Sequence, residues 1–116
     1  MPRPGDQFAF KSGLYKWAGT KRGARIGHDI GRCAFVRVAG NEQHPSLTAH
    51  CAASFSLPAG SIIAEVFLNL PEGPLHADVP VIGGTGAYAN ARGFINIRDL
   101  GTGESGHTSL TFHVLP

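Results

Sequence analysis

At 116 residues the chain reads as a single domain, small but long enough to bury a core. Its composition, 42% hydrophobic and 16% charged, is that of an ordinary globular protein, while 16 glycines and 8 prolines are too many for a helical bundle and suit short strands joined by turns. The net charge of +2 hides an asymmetry. Residues 1–38 hold Arg3, Lys11, Lys16, Lys21, Arg22, Arg25, Arg32 and Arg37 against Asp6 and Asp29, a surplus of +6; the remainder holds Arg92 and Arg98 against six acids, a deficit of −4. A basic half can bind nucleic acid or anionic lipid. Here the cations are spread singly along the sequence without aromatic interleaving or a recognition helix, so the expectation is a solvated, mildly basic face and no nucleic acid partner. No apolar run approaches the roughly 18 residues of a membrane span, and MPRPGDQF lacks the apolar core of a signal peptide. A cytoplasmic protein is expected if Met1 is the true start, and a secreted one if a signal peptide has been removed.

In chain order, residues 1–5 are expected to be disordered, and Gln7 to Trp17 forms the first strand. Phe8, Phe10, Ser12 and Leu14 lie on one face of it; Ala9, Lys11, Gly13, Tyr15 and Trp17 lie on the other. Gly19-Thr20-Lys21-Arg22-Gly23 is a turn by composition. Ala24 to Val38 is too long for a straight strand and counts as one bent strand or two, with Gly27 and Gly31 as the bends. After the loop at residues 40–45, Ser46 to Leu57 is the next strand.

If that hairpin is symmetric about Glu42, residues whose numbers sum to 84 face each other, and Cys33 and Cys51 are such a pair. Directly opposed antiparallel residues lie within the span of a disulfide. Oxidation then follows the compartment: two buried thiols in a cytosolic protein, a bridge in a secreted one. The cysteines share a face with Phe35, Leu47, Ala49, Ala53 and Phe55, opposite Thr48, His50, Ser54 and Ser56, so the apolar set is the inward one. Two cysteines without a histidine at ligand spacing make a weak case for zinc, and no metal is expected.

Pro58-Ala59-Gly60 turns the chain into Ser61–Leu70, where the register stays open by one residue. Either Ile62, Ala64, Val66 and Leu68 point inward, or Ile63, Glu65, Phe67 and Asn69 do. Further strands follow the turn at Pro71-Glu72-Gly73-Pro74, near residues 75–82, 92–100 and 108–115, the last two joined by the loop at 101–106. Seven or eight short strands with no helical period argue for a closed all-β sheet. Gly84-Thr85-Gly86-Ala87-Tyr88-Ala89 fits a loose dinucleotide fingerprint, but Asn90-Ala91-Arg92-Gly93 leads straight into a strand where that fingerprint requires a helix. A glycine-rich turn is the expectation.

The candidates for chemistry are few. His28, His44, His50, His76, His107 and His113 are dispersed, and none stands in a zinc or nucleophile motif. His50 is placed on the polar face and His113 on either side. Arg37 is the one cation on the face taken as inward, either at the barrel mouth or holding an anionic head group. Glu65 is either a surface carboxylate or a buried general acid–base.

The block GGTGAYANARG resembles the GGTG signature of the allene oxide cyclase and dirigent barrels, and GDQFAFKSGLY, GHDIGRC and AGSIIAEV resemble successive upstream blocks of the plant cyclases. The resemblance implies a small antiparallel β-barrel of seven or eight strands, in which an apolar lumen folds a hydrophobic substrate. It places Phe8, Phe10 and Ser12 on the lumen-facing segment, with Ser12 where the family has a water-anchoring Asn, and Cys33 as a pocket cysteine. The family's catalytic Glu lies on a strand with no counterpart in this sequence. Relatives of this fold include cyclases that act by shaping their substrate and dirigent proteins that orient phenoxy radicals. The implied mechanism is proximity and orientation, without nucleophile, metal or cofactor. The expected function is cyclisation or isomerisation of a hydrophobic small molecule. The lumen residues are Phe8, Phe10, Ser12, Cys33, Phe35, Cys51 and Phe55, and the catalytic candidates are Glu65 and Arg37. A non-catalytic carrier, a dirigent-type coupling guide and a structural subunit are the alternatives. The two-faced apolar strand at Ser61–Leu70 further implies a homo-oligomer.

Overall fold

The computed structural model describes residues 1–18, 21–70, 73–99 and 108–115. Seven strands follow one another: β1 (Gln7–Ala18), β2 (Lys21–Gly40), β3 (Pro45–Leu57), β4 (Gly60–Leu70), β5 (His76–Gly84), β6 (Arg92–Asp99) and β7 (Thr108–Leu115). They form one antiparallel sheet in sequence order, each strand paired with its neighbours in the chain. The described helical content is a single 3-10 turn at Gly86–Tyr88. Residues 24–38 therefore belong to one bent strand, not two. Its bends fall where the ladder slips, beside Leu14 to Trp17 of β1 and at Val36. The turn at Pro71-Glu72, the loop at 101–106 and His107 lie outside the described residues. Within the first five residues, Gly5 N–H donates to the Phe35 carbonyl at 2.7 Å, prolonging the β1–β2 ladder.

Among the described residues no ladder joins β1 to β7, so the expected closed sheet is a curled half-barrel. Its curl shows in the core. Phe55, Ile62, Ala64, Val79, Val81, Ala91 and Ile95 form one buried cluster, against which both Leu14 of β1 and Phe112 and Val114 of β7 pack. A second cluster, Cys33, Ala49 and Cys51 with Phe10, Phe35, Leu68 and Leu70, lines the same inner face, and Val66 touches both. The β4–β5 ladder is short, running only from Ile62↔Gly84 to Ala64↔Val81. Beyond Ala64 the two strands separate, leaving Val66, Leu68 and Leu70 paired on the β3 side alone.

The glycine-rich stretch is structural. Thr85 N–H donates to the Ser61 carbonyl and Ala87 N–H to the Ala59 carbonyl, each at 2.9 Å, and the Thr85 hydroxyl accepts from Ser61 N–H at 3.1 Å. The segment thus locks the β3–β4 turn onto the start of the β5–β6 connection. Its backbone donors serve the fold and not a phosphate, and only a 3-10 turn follows, which disposes of the nucleotide reading. The contact admits no side chain. Gly60 has φ +147°, and a Cβ there would stand 2.1 Å from the Thr85 carbonyl oxygen. Gly60→Ala is expected to cost about 1–3 kcal/mol, read as a lowered denaturant midpoint at unchanged slope.

Candidate functional site

The register of β1, β2 and β3 assembles the inner wall. Phe8 opposes Cys33, Phe10 opposes Gly31 and Ser12 opposes Asp29. On the other side of β2, Cys33 opposes Cys51, Phe35 opposes Ala49 and Asp29 opposes Phe55. Opposed residues of an antiparallel pair project to the same side. Phe8, Phe10, Ser12, Cys33, Phe35, Cys51 and Phe55 therefore share one face. Phe10 lies across Gly31, where a Cβ would come within 2.5 Å of its ring; that glycine is what lets the ring lie flat on β2. Phe8 packs on Phe35 with ring centroids 5.8 Å apart, and Phe55 meets Phe112 edge-on at 5.5 Å. Cys33 and Cys51 are joined by a disulfide across 18 positions of sequence. The symmetric pairing expected from the loop holds from His28 to Phe35.

Past Phe35 it fails, and Arg37 moves with it. The bulge at Val36 shifts the register by one, so Arg37 opposes Thr48 and Val38 takes the inward place opposite Leu47. Arg37 is exposed on the outer face, where its Nη1 donates to Ser46 Oγ at 2.8 Å. One extra residue reverses a side chain's face because the strand period is two. Glu65 is also outside. Ile62 and Ala64 are buried, and Glu65 opposes Ala52 on the far side. Its Oε1 lies 2.5 Å from His50 Nε2, with the Phe67 ring 4.8 Å from the imidazole. Neither of the two expected catalytic side chains thus reaches the inner wall. A hollow of about 90 Å³ among Gln7, Arg32, Ala34, His50 and Ala52 is the outer-face concavity nearest to that pair. It is well below the roughly 300 Å³ at which small-molecule sites begin.

The histidines are no more promising. His113 stacks on Phe94 at 4.5 Å on the outer face, and His76 Nε2 lies 3.4 Å from the Asn96 amide, which donates to Asp78 at 2.8 Å. Among the described residues no three His, Cys, Asp or Glu side chains gather as a metal site.

The inner wall nonetheless carries one charged group. Asp29 is 8% exposed, and it is the buried polar residue of the described core. It sits between Ser12 and Phe55, and its Oδ1 has no hydrogen-bond partner. Loss of hydration on burial pushes its carboxyl above the ordinary 3.8; hydrogen bonds from the Ser12 hydroxyl and backbone and the nearby His28 pull the other way with less effect. A buried carboxyl with one unpartnered oxygen and a raised pKa is the kind of group that serves as a general acid or base. The residue escaped notice in the sequence although its signal was present: 29 and 55 sum to 84, so the rule that paired the cysteines also placed Asp29 opposite Phe55.

Comparisons with known proteins agree with this architecture. The chain matches the model of the allene oxide cyclase barrel like domain over residues 12–112. Among solved structures, one of a pyocyanin demethylase superposes with a TM-score of 0.61 at 24% identity, covering 96% of this chain and 84% of that one. No curated protein matches the chain. The family match spans nearly the whole ladder from Ser12 to Phe112, and the chain belongs to the allene oxide cyclase barrel-like family.

Proposed function

We propose that this protein is a small-molecule isomerase or cyclase that holds a hydrophobic substrate against its inner wall and moves one proton through Asp29. The observation that carries the reading is the lone carboxylate on that wall with an unpartnered oxygen and a raised pKa. Phe8, Phe10, Phe35 and Phe55 supply the apolar surface that fixes the substrate's shape, and the Ser12 hydroxyl holds the carboxyl in place. Shape and orientation lower the barrier by bringing reacting atoms together. Asp29 adds acid–base assistance, which needs neither metal nor cofactor. A neighbour of the same fold is named a demethylase, so the fold alone does not select the reaction. The proton-transfer group narrows it.

Incubation of the purified protein with small-molecule extract from its host, followed by liquid chromatography with mass detection, tests the reading. A compound that changes retention time at unchanged mass is the expected result. A compound that co-purifies unchanged would assign the barrel to carriage instead. On the outer face of β4, Phe67 is 68% exposed, and an aromatic ring left this open supports a homo-oligomer in which it is covered. Light scattering is expected to return a mass that is a multiple of 12.2 kDa, and Phe67→Ser to lower it.

A further inference from the structure

Pairing between β2 and β3 begins at His28↔Ser56. Beyond Leu14 and Gly27, Tyr15–Ala18 and Lys21–Arg25 therefore pair only with each other, as a two-stranded arm that leaves the sheet at its Asp29 end. The molecule is elongated accordingly, with a longest dimension of 43 Å and a radius of gyration of 15.1 Å. A compact chain of this length would have a radius of about 13 Å. No acid occurs between Asp6 and Asp29, and the arm itself holds Lys16, Lys21, Arg22 and Arg25, all exposed. In sequence Lys16 stands between Tyr15 and Trp17, and the hairpin adds two arginines to the aromatic pair. Tyr15 opposes Arg25 and Trp17 opposes Arg22, so all four share a face. The Arg22 guanidinium lies 3.9 Å from the Tyr15 ring centroid, while Trp17 is 42% exposed near the tip.

We propose that this arm docks the protein on an anionic lipid bilayer, with Trp17 and Tyr15 at headgroup level and the four cations against lipid phosphates. Indole and phenol rings favour the membrane–water interface because they join an apolar body to a polar edge. Each Lys or Arg brought to an anionic leaflet strengthens binding by about fivefold, and the absence of any carboxylate in the arm leaves that attraction unopposed. A lipid surface suits the site better than a nucleic acid strand. One face of the Tyr15 ring is already covered by Arg22, and the narrow arm offers no row of ring faces on which successive bases could stack. The docking inference stands apart from the proposed reaction. If both hold, the Asp29 end of the sheet is the end brought to the bilayer.

Trp17 is the one tryptophan in the chain, so its fluorescence reports on the arm directly. The intact protein is titrated with vesicles of phosphatidylcholine alone and of phosphatidylcholine with phosphatidylserine, at low and high salt, alongside sedimentation. The expected result is a blue shift and co-sedimentation with the serine-lipid vesicles only, lost at high salt, and quenching by shallowly brominated lipid. Arg22→Glu/Arg25→Glu is expected to weaken vesicle binding by at least twentyfold, about fivefold for each charge removed, with the melting temperature unchanged. Lys16→Glu/Lys21→Glu is the second variant, expected to behave alike. No response to anionic vesicles, or equal binding to neutral ones, overturns the proposal. So does a Trp17 response to a single-stranded oligonucleotide in the absence of any to vesicles, which would assign the arm to nucleic acid.

Discussion

Asp29→Asn is expected to lower turnover of the substrate by about 10²–10⁴-fold while leaving the fold intact, because asparagine keeps the shape and the Ser12 contact but cannot exchange a proton. The same substitution is expected to stabilise the protein at neutral pH. Burial raises the carboxyl above 3.8, so the folded chain holds this proton more tightly than the unfolded chain does. The contribution of Asp29 to stability is then complete below 3.8 and is lost as pH rises through the raised folded value. Asparagine has nothing to lose across that window. The melting temperature of the variant minus that of the native protein should be smallest in acid and grow to a plateau above the folded pKa. A difference that is flat with pH would mean that the carboxyl is not perturbed, and with it the acid–base role fails. A variant with full turnover and the expected stability profile would leave Asp29 a buried curiosity and favour orientation alone.

Cleaving the disulfide is expected to have the largest effect on stability. Cys33 and Cys51 close a loop across 18 positions. The chain-entropy model assigns such a loop about 3 kcal/mol, which for a domain of this size lowers the melting temperature by about 10 °C. Cys33→Ser/Cys51→Ser and reduction of the native protein should give similar drops, and the double variant should no longer respond to reductant. The bridge also sits beneath Phe8 and beside Phe35 and Ala49 on the inner wall, so its loss is expected to loosen substrate binding as well as the fold. Equal melting curves with and without reductant would show that the thiols are free in solution.

The all-β architecture was legible because alternation and turn chemistry point the same way along nearly the whole chain. Period-two patterning in Gln7–Trp17 and Ser46–Leu57 and the turns that bound Ser61–Leu70 carried the strands, and one symmetric loop carried the disulfide pairing. What failed did so at irregularities that composition does not encode. The bulge at Val36 is one added residue in a strand that otherwise reads regularly, and it turned Arg37 outward. The register of Glu65 was ambiguous because β4 is apolar on both faces; only pairing with Ala52 fixes it. Asp29 was overlooked for a different reason. An acid in a basic segment looks like charge balance, and its burial arises only when β1 and β3 flank it with Ser12 and Phe55. The placing of Arg22 and Arg25 on the face of Tyr15 and Trp17 is likewise a product of pairing across a turn.

The short β4–β5 ladder makes the sheet mechanically a two-leaved object. One leaf is β1–β4 and the other β5–β7, and the seam between them is the stretch from Ile62 to Ala64, where Gly83 and Gly84 supply the facing strand. The buried cluster bridges the two leaves, with Phe55, Ile62 and Ala64 on one and Val79, Val81 and Ile95 on the other, so side-chain packing carries the join that few backbone hydrogen bonds make.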